Sequence, residues 1–273
     1  MNTNPSSNGQ KKVFLLPNLM TAGNLFCGFM AVLQIFQGSL IRITETGNWA
    51  HHYENSLFLI FAAFIFDLLD GRLARLGGQE SPFGREFDSL ADLISFGIAP
   101  ALLVFQIVLY ELPDRIGWMI AFVYLACGAM RLARFNVHAA EVLPGSVPSK
   151  NFTGFPIPAA AGVIASITML LLHIYKADHA IGNWKYLLAG LMLFLSFMMF
   201  SKYQYPSFKT VDWRTRWPLS RLVLITLFIA VVIIYYRFSL ALVFTAYLLY
   251  GFLRPYLSLA WRKEIEEEDQ DSS

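Results

Sequence analysis

Apolar residues gather into eight runs, each long enough or nearly long enough to cross a bilayer, separated by polar segments. The runs lie at about 19–37, 57–75, 87–110, 117–135, 157–174, 185–200, 219–236 and 238–257. The pattern predicts an all-α, polytopic integral membrane helical bundle of about eight transmembrane helices. Residues 1–273 are read as one membrane domain. A polar N-tail at 1–12 is expected to be disordered; core helices follow at 13–200, two additional helices at 219–257 and an acidic tail at 262–273. The segment MNTNPSSNGQKK lacks the pattern of a signal peptide, so the first run is expected to remain as a span.

Charge placement orients the spans. Arg42, Arg115, Lys176, Lys185 and Arg237 fall in segments on one side, and the remaining sixteen of the 21 Lys and Arg fall on the other. Cytoplasmic loops carry the excess of cations, so both termini and the 76–86 loop are expected at the cytoplasm. The 38–56 segment is expected to be an external loop, with His51 and His52 in solvent. The 201–218 segment, with Trp213 and Trp217 among its cations, is expected at the interface.

Composition supports the membrane class. Hydrophobic residues make up 56% of the chain, charged residues 15%, and the mean hydropathy is +0.50. A soluble domain carries about 25% charged residues. A net charge of +2, with no basic run interleaved with aromatics, argues against nucleic acid. Cys27 and Cys127 sit inside apolar runs and read as small buried hydrophobes, not as a disulfide or metal site.

The candidate chemistry is concentrated in DLLDGRLARLGGQESPFGREFDSLAD, residues 67–92. Asp67 and Asp70 are three apart, and Asp88 and Asp92 four apart, so each pair shares a helix face. Helix breakers between the pairs let the chain turn and bring them together. Four carboxylates converging in a low dielectric repel unless cations join them. Oxygen ligands point to Mg²⁺ or Mn²⁺, and two such ions about 3.5–4 Å apart suit phosphoryl transfer. Asp67 lies about 12 Å in from Arg75, at 1.5 Å per residue, so the acids are expected to face a polar bowl in the cytoplasmic half of the bundle. Mid-helix Gly71 suits close approach to a ligand, the Arg75 fork suits a diphosphate, and Gly84 allows close packing before the third helix. Thr21 and Asn24 put polar groups on one face of the first span. Arg131, Arg134 and Asn136, in RLARFN, suit either positive-inside anchoring or the binding of a carboxylate or lipid phosphate.

Asp70-Gly71, Ala74-Arg75, Gly84, Asp88 and Asp92 fit D-G-x2-A-R-x8-G-x3-D-x3-D at every fixed position, with Asp67 as the preceding acid. This resembles the signature of the CDP-alcohol phosphotransferase family. PNLMTAGNLFCGF at 17–29, SPFGREFDSLADLISFGIAP at 81–100, RLARFN at 131–136 and FTGFPIPAAA at 152–161 resemble its bacterial serine-using branch, the CDP-diacylglycerol–serine O-phosphatidyltransferases. The resemblance implies transfer of a phosphatidyl group from CDP-diacylglycerol to L-serine, in the bacterial inner membrane, by a homodimer among membrane lipids. It implies Asp67, Asp70, Asp88 and Asp92 as metal ligands, with Asp92, the family's last acid, also as general base. It implies Asn18, Thr21 and Asn24 in the nucleotide pocket beside Gly71, Arg75 and Gly84. It also makes 137–156 a lid or substrate-binding segment, with Lys150 and Thr153 as candidates.

Other readings stay open at the level of sequence. A sister enzyme could use glycerol 3-phosphate, inositol phosphate or choline. A divalent-cation transporter could use the same acids, although an Arg beside a cation path is unhelpful there.

Overall fold

The computed structural model describes residues 15–45, 47–76, 81–141, 151–174, 184–201, 204–206 and 234–253. The helices are α1 (Leu15–Thr44), α2 (Trp49–Leu76), α3 (Pro82–Asp92), α4 (Ala99–Ile107), α5 (Ile116–Glu141), α6 (Ile157–Ile174), α7 (Trp184–Phe200) and α8 (Tyr236–Leu253). A π-helical turn, Leu93–Ile98, joins α3 to α4 without a break, and short 3₁₀ turns connect α4 to α5. Four helical stretches have the length and apolar character to span a membrane: Leu16–Thr44, Pro82–Ile107, Ile116–Val137 and Ile157–Ile174; Trp184–Phe200 is a shorter apolar helix. The predicted run at 219–236 falls almost wholly outside the described residues.

Helix α6 is the centre. Ala159 to Ala165 are buried without interruption, as expected of a helix apolar on every side. It packs against α2, α7 and α8, while α1 lies along α2 and α5 along α7. Large side chains point outward instead: Phe26, Phe29 and Phe36 on α1, and Trp118, Met119 and Phe122 on α5, are more than half exposed. In water such surfaces would aggregate; against lipid they are the expected exterior.

Two connections differ from the sequence expectation. The 38–56 segment, expected to be an external loop, is largely helix, since α1 runs to Thr44 and α2 begins at Trp49. His51 and His52 lie in its first turn, where the His52 Nδ1 and Gln34 Oε1 are 2.8 Å apart. Helix–helix packing against α1 extends α2 beyond what its apolar run predicts. The 137–156 loop is also shorter: α5 continues to Glu141, and Asn151–Thr153 forms a strand, β1, antiparallel to β2 (Gln204–Pro206). Two three-residue strands are thus added to a helical fold.

The end of the bundle away from the acids is closed by ion pairs. Glu111 is 3.9 Å from Arg42 and 3.4 Å from Lys185, and Glu54 is 3.6 Å from Arg237. Arg237 also contacts His173, and Arg42 lies over the Tyr110 ring. Three of the five cations assigned to the minority side are therefore neutralised locally.

Candidate active site

The site forms where the first turns of α1 meet the last turns of α2 and the start of α3. Helix α3 starts at Pro82, earlier than its apolar run suggests. Ser81 caps it, its Oγ accepting the Gly84 amide at 2.9 Å, with Pro82 in the first turn. Within this helix Arg85, Asp88 and Asp92, spaced i, i+3 and i+7, lie along one face. Asp67, Asp70 and Asp88 each offer a carboxylate oxygen, and those oxygens all lie within 4.8 Å of one another. Two helices thus bring three of the four acids into one group.

Asp92 is one turn deeper. Its Oδ1 accepts a hydrogen bond from Asn24 Nδ2 at 2.9 Å. Thr21 Oγ1 stands 3.0 Å from Asp70 Oδ2 and 3.2 Å from the Pro17 carbonyl. Asp70, Asp92, Thr21 and Asn24 are all buried. Helix α1 is therefore the wall that holds two acids in fixed orientations. Gly28 allows its approach: a Cβ there would fall 2.2 Å from Ser95 Oγ and 2.8 Å from Ser95 Cα. Ser95 Oγ donates to the Asn24 carbonyl at 3.0 Å, tying the π turn back to α1. The carbonyl of Phe96 in that turn accepts the Tyr124 hydroxyl at 3.0 Å. The π turn directly follows Asp92, a placement common at functional sites.

The sequence profile of the CDP-alcohol phosphatidyltransferases matches residues 14–200. The chain belongs to that family. It is 37% identical over 242 residues to the CDP-diacylglycerol–serine O-phosphatidyltransferase of Helicobacter pylori strain J99, covering 89% of this chain and 91% of that protein. It is 32% identical over 194 residues to the protein of that name from Bacillus subtilis, covering 71% and 91%. A yeast protein of that name, from Saccharomyces cerevisiae, is 39% identical over 151 residues, covering 55% and 51%.

Asn18 borders the cap of α3: its Oδ1 would lie 3.1 Å from a Cβ built on Gly84. Gly71 follows Asp70 within α2. The Arg75 side chain, the Thr153 side chain and Lys150 lie outside the described residues; Thr153 itself belongs to β1. The RLARFN residues divide. Arg131 turns inward, with its Nε buried and without a hydrogen-bond partner among the described residues. Arg134 turns to the end of α7, donating to the Phe200 carbonyl at 3.3 Å and lying over the Phe200 ring. Asn136 clamps α5 to α3 through Glu86 at 3.1 Å and Ser89 at 3.0 Å.

Two residues of the site escaped sequence reasoning. Ser95 would have been found from its place one turn after Asp92. Arg85 shares the face of Asp88 and Asp92, and its buried Nε has no hydrogen-bond partner among the described residues.

The residues present fit divalent cations. Three carboxylates with oxygens this close, two of them from adjacent turns of one helix, form an oxygen-rich donor set whose mutual repulsion a hard cation would relieve.

Proposed function

We propose that the protein transfers the phosphatidyl group of CDP-diacylglycerol to the hydroxyl of L-serine, giving phosphatidylserine and CMP. The observation that carries this reading is the convergence of Asp67, Asp70 and Asp88, with Asp92 held beside them by Asn24. The relatives named as serine O-phosphatidyltransferases support the choice of acceptor. Asp67, Asp70 and Asp88 would hold two Mg²⁺ or Mn²⁺ ions, with Asp92 at their edge. Bound there, the ions supply charge neutralisation on the diphosphate.

The chain's own residues do the rest. Asn18, Thr21 and Asn24 line the nucleotide side of the pocket, with Gly71 and Gly84 giving room and Arg75 reaching the diphosphate. Asn24 occupies Oδ1 of Asp92, which leaves Oδ2 to take the proton of the serine hydroxyl. The serine oxygen forms its bond to the lipid-bearing phosphorus as the bond to the CMP oxygen breaks, in a single displacement. Arg131 receives the serine carboxylate. Lys150 and Thr153 belong to a segment that closes over the acceptor. The site faces the cytoplasm of the bacterial inner membrane, where serine and released CMP are soluble, and the two termini share that side.

The test is CMP release by purified protein with CDP-diacylglycerol and Mn²⁺ or Mg²⁺. Serine, glycerol 3-phosphate, inositol phosphate and choline are supplied in parallel, with Asp92→Asn as control. Serine-dependent release that the variant lacks is the expected result. Release with another acceptor alone would overturn the serine assignment.

A further inference from the structure

The π turn after Asp92 is short of a backbone donor. Pro100 has no N–H, so it cannot serve the Phe96 carbonyl four residues back, as an α-helix would require. Within the turn the Ala99 amide donates to the Ile94 carbonyl, five residues back. The Phe96 carbonyl is buried, and it takes the Tyr124 hydroxyl of α5 at 3.0 Å.

The width of this turn sets where Asp92 points. One residue of α-helix turns the chain by about 100°. A π turn takes up one residue more than an α-helical turn. An unbroken α-helix through Leu93–Ile98 would therefore swing α3 by about that angle against α4. The buried side of α4 carries Leu103, Val104 and Ile107. With the extra residue absorbed in the turn, those side chains face the core while Asp92 meets Asn24.

Two hydroxyls hold the turn, one from each neighbouring helix. Ser95 Oγ donates to the Asn24 carbonyl of α1 at 3.0 Å, and Tyr124 holds Phe96 from α5. Gly97 lets α5 come this close: a Cβ there would lie 3.0 Å from Cδ1 of Leu125, the neighbour of Tyr124. The Phe96 ring packs edge-on against Phe64 of α2, with centroids 6.3 Å apart. Tyr124 and Ser95 are themselves buried, so bulk water does not compete for either bond. Phenylalanine at 124 would fill the same space and leave the Phe96 carbonyl without that donor.

We propose that Tyr124 is a positioning residue: with Ser95 it clamps the π turn, so that the Asp92 carboxylate is held at the angle from which it takes the acceptor's proton. Tyr124 acts through the turn, on the chemical step and not on binding. The proposal rests on the assignment of Asp92 as proton acceptor made above.

The test measures CMP release by full-length wild type, Tyr124→Phe, Ser95→Ala and Ile120→Val in detergent with Mn²⁺. Serine and CDP-diacylglycerol are varied separately, and each protein is melted. Tyr124→Phe and Ser95→Ala should each lower kcat by about tenfold, the factor for one buried hydrogen bond, with both KM values near wild type. Ile120→Val is a buried change one turn before Tyr124 that leaves the hydroxyl in place. It should lower the melting temperature without lowering kcat. An unchanged kcat in Tyr124→Phe, a rise in KM alone, or an equal fall in kcat for Ile120→Val overturns the Tyr124 assignment while serine use by the wild type stands. If Tyr124→Phe does not fold, Ser95→Ala decides by the same criteria. If the wild type uses only another acceptor, the serine reading falls and the comparison is made with that acceptor. No CMP release with any acceptor removes both readings.

Discussion

Asn24 of α1 and Asp92 of α3 are joined by a 2.9 Å hydrogen bond between residues 68 apart in sequence, both of them buried. The same Asn24 accepts the Ser95 hydroxyl through its backbone carbonyl. One residue therefore sets both the orientation of the deepest acid and the seating of the π turn behind it. Replacing it with Leu removes the amide donor at similar volume. A buried carboxylate that loses its donor costs about 1–3 kcal/mol. Asn24→Leu should lower the melting temperature and reduce CMP release at least about tenfold. Wild-type activity in this variant would show that the bond does not orient Asp92.

The three-carboxylate group predicts opposite effects on activity and stability. Like charges this close destabilise the fold when no cation is present. Asp88→Asn should abolish CMP release, yet in chelator it should melt no lower than wild type. Added Mn²⁺ or Mg²⁺ should raise the melting temperature of wild type and much less that of the variant. Thermal shift in detergent reads both; equal shifts in the two proteins would remove Asp88 from the metal site.

Gly28 is predicted to tolerate no side chain. A Cβ 2.8 Å from the Ser95 backbone cannot be absorbed by a rotamer change. Gly28→Ala should part α1 from the π turn, at about 1–3 kcal/mol, typical of overpacking. Activity and melting temperature should fall together. A fully active, equally stable Gly28→Ala would show that α1 can shift without harm to the site.

The opposite end of the bundle supplies a control. Glu111 pairs with both Arg42 and Lys185, but its side chain is 42% exposed. Such pairs contribute about 0–1 kcal/mol. Glu111→Gln should leave CMP release unchanged and barely alter the melting temperature. A marked loss of activity would mean that the two ends of the bundle are coupled.

Periodicity and hydropathy were enough to predict helical membrane segments, because each apolar run is a local consequence of burial in core or lipid. The α6 and α7 runs coincide closely with the observed helices, and the acids of residues 67–92 were legible because a fixed spacing repeats the helical period. Helix starts were less legible. Trp49 and Pro82 begin α2 and α3 in polar sequence, where packing against α1 and the Ser81 cap, not hydropathy, extend the helix.

What the tertiary structure alone decided is which polar residues meet. Arg131 and Arg134, three apart in one motif, part company: the first buries its Nε without a hydrogen-bond partner among the described residues, and the second donates to the Phe200 carbonyl at the end of α7. Asn136 is drawn into a clamp on α3. Phe244 of α8 fits over Gly162 of α6, and that fit seats one helix on the other. Residue types and spacing determine the face each side chain occupies along its own helix. The partner across the bundle depends on how closely two backbones approach, and that is set by small residues and ring packing far away in sequence.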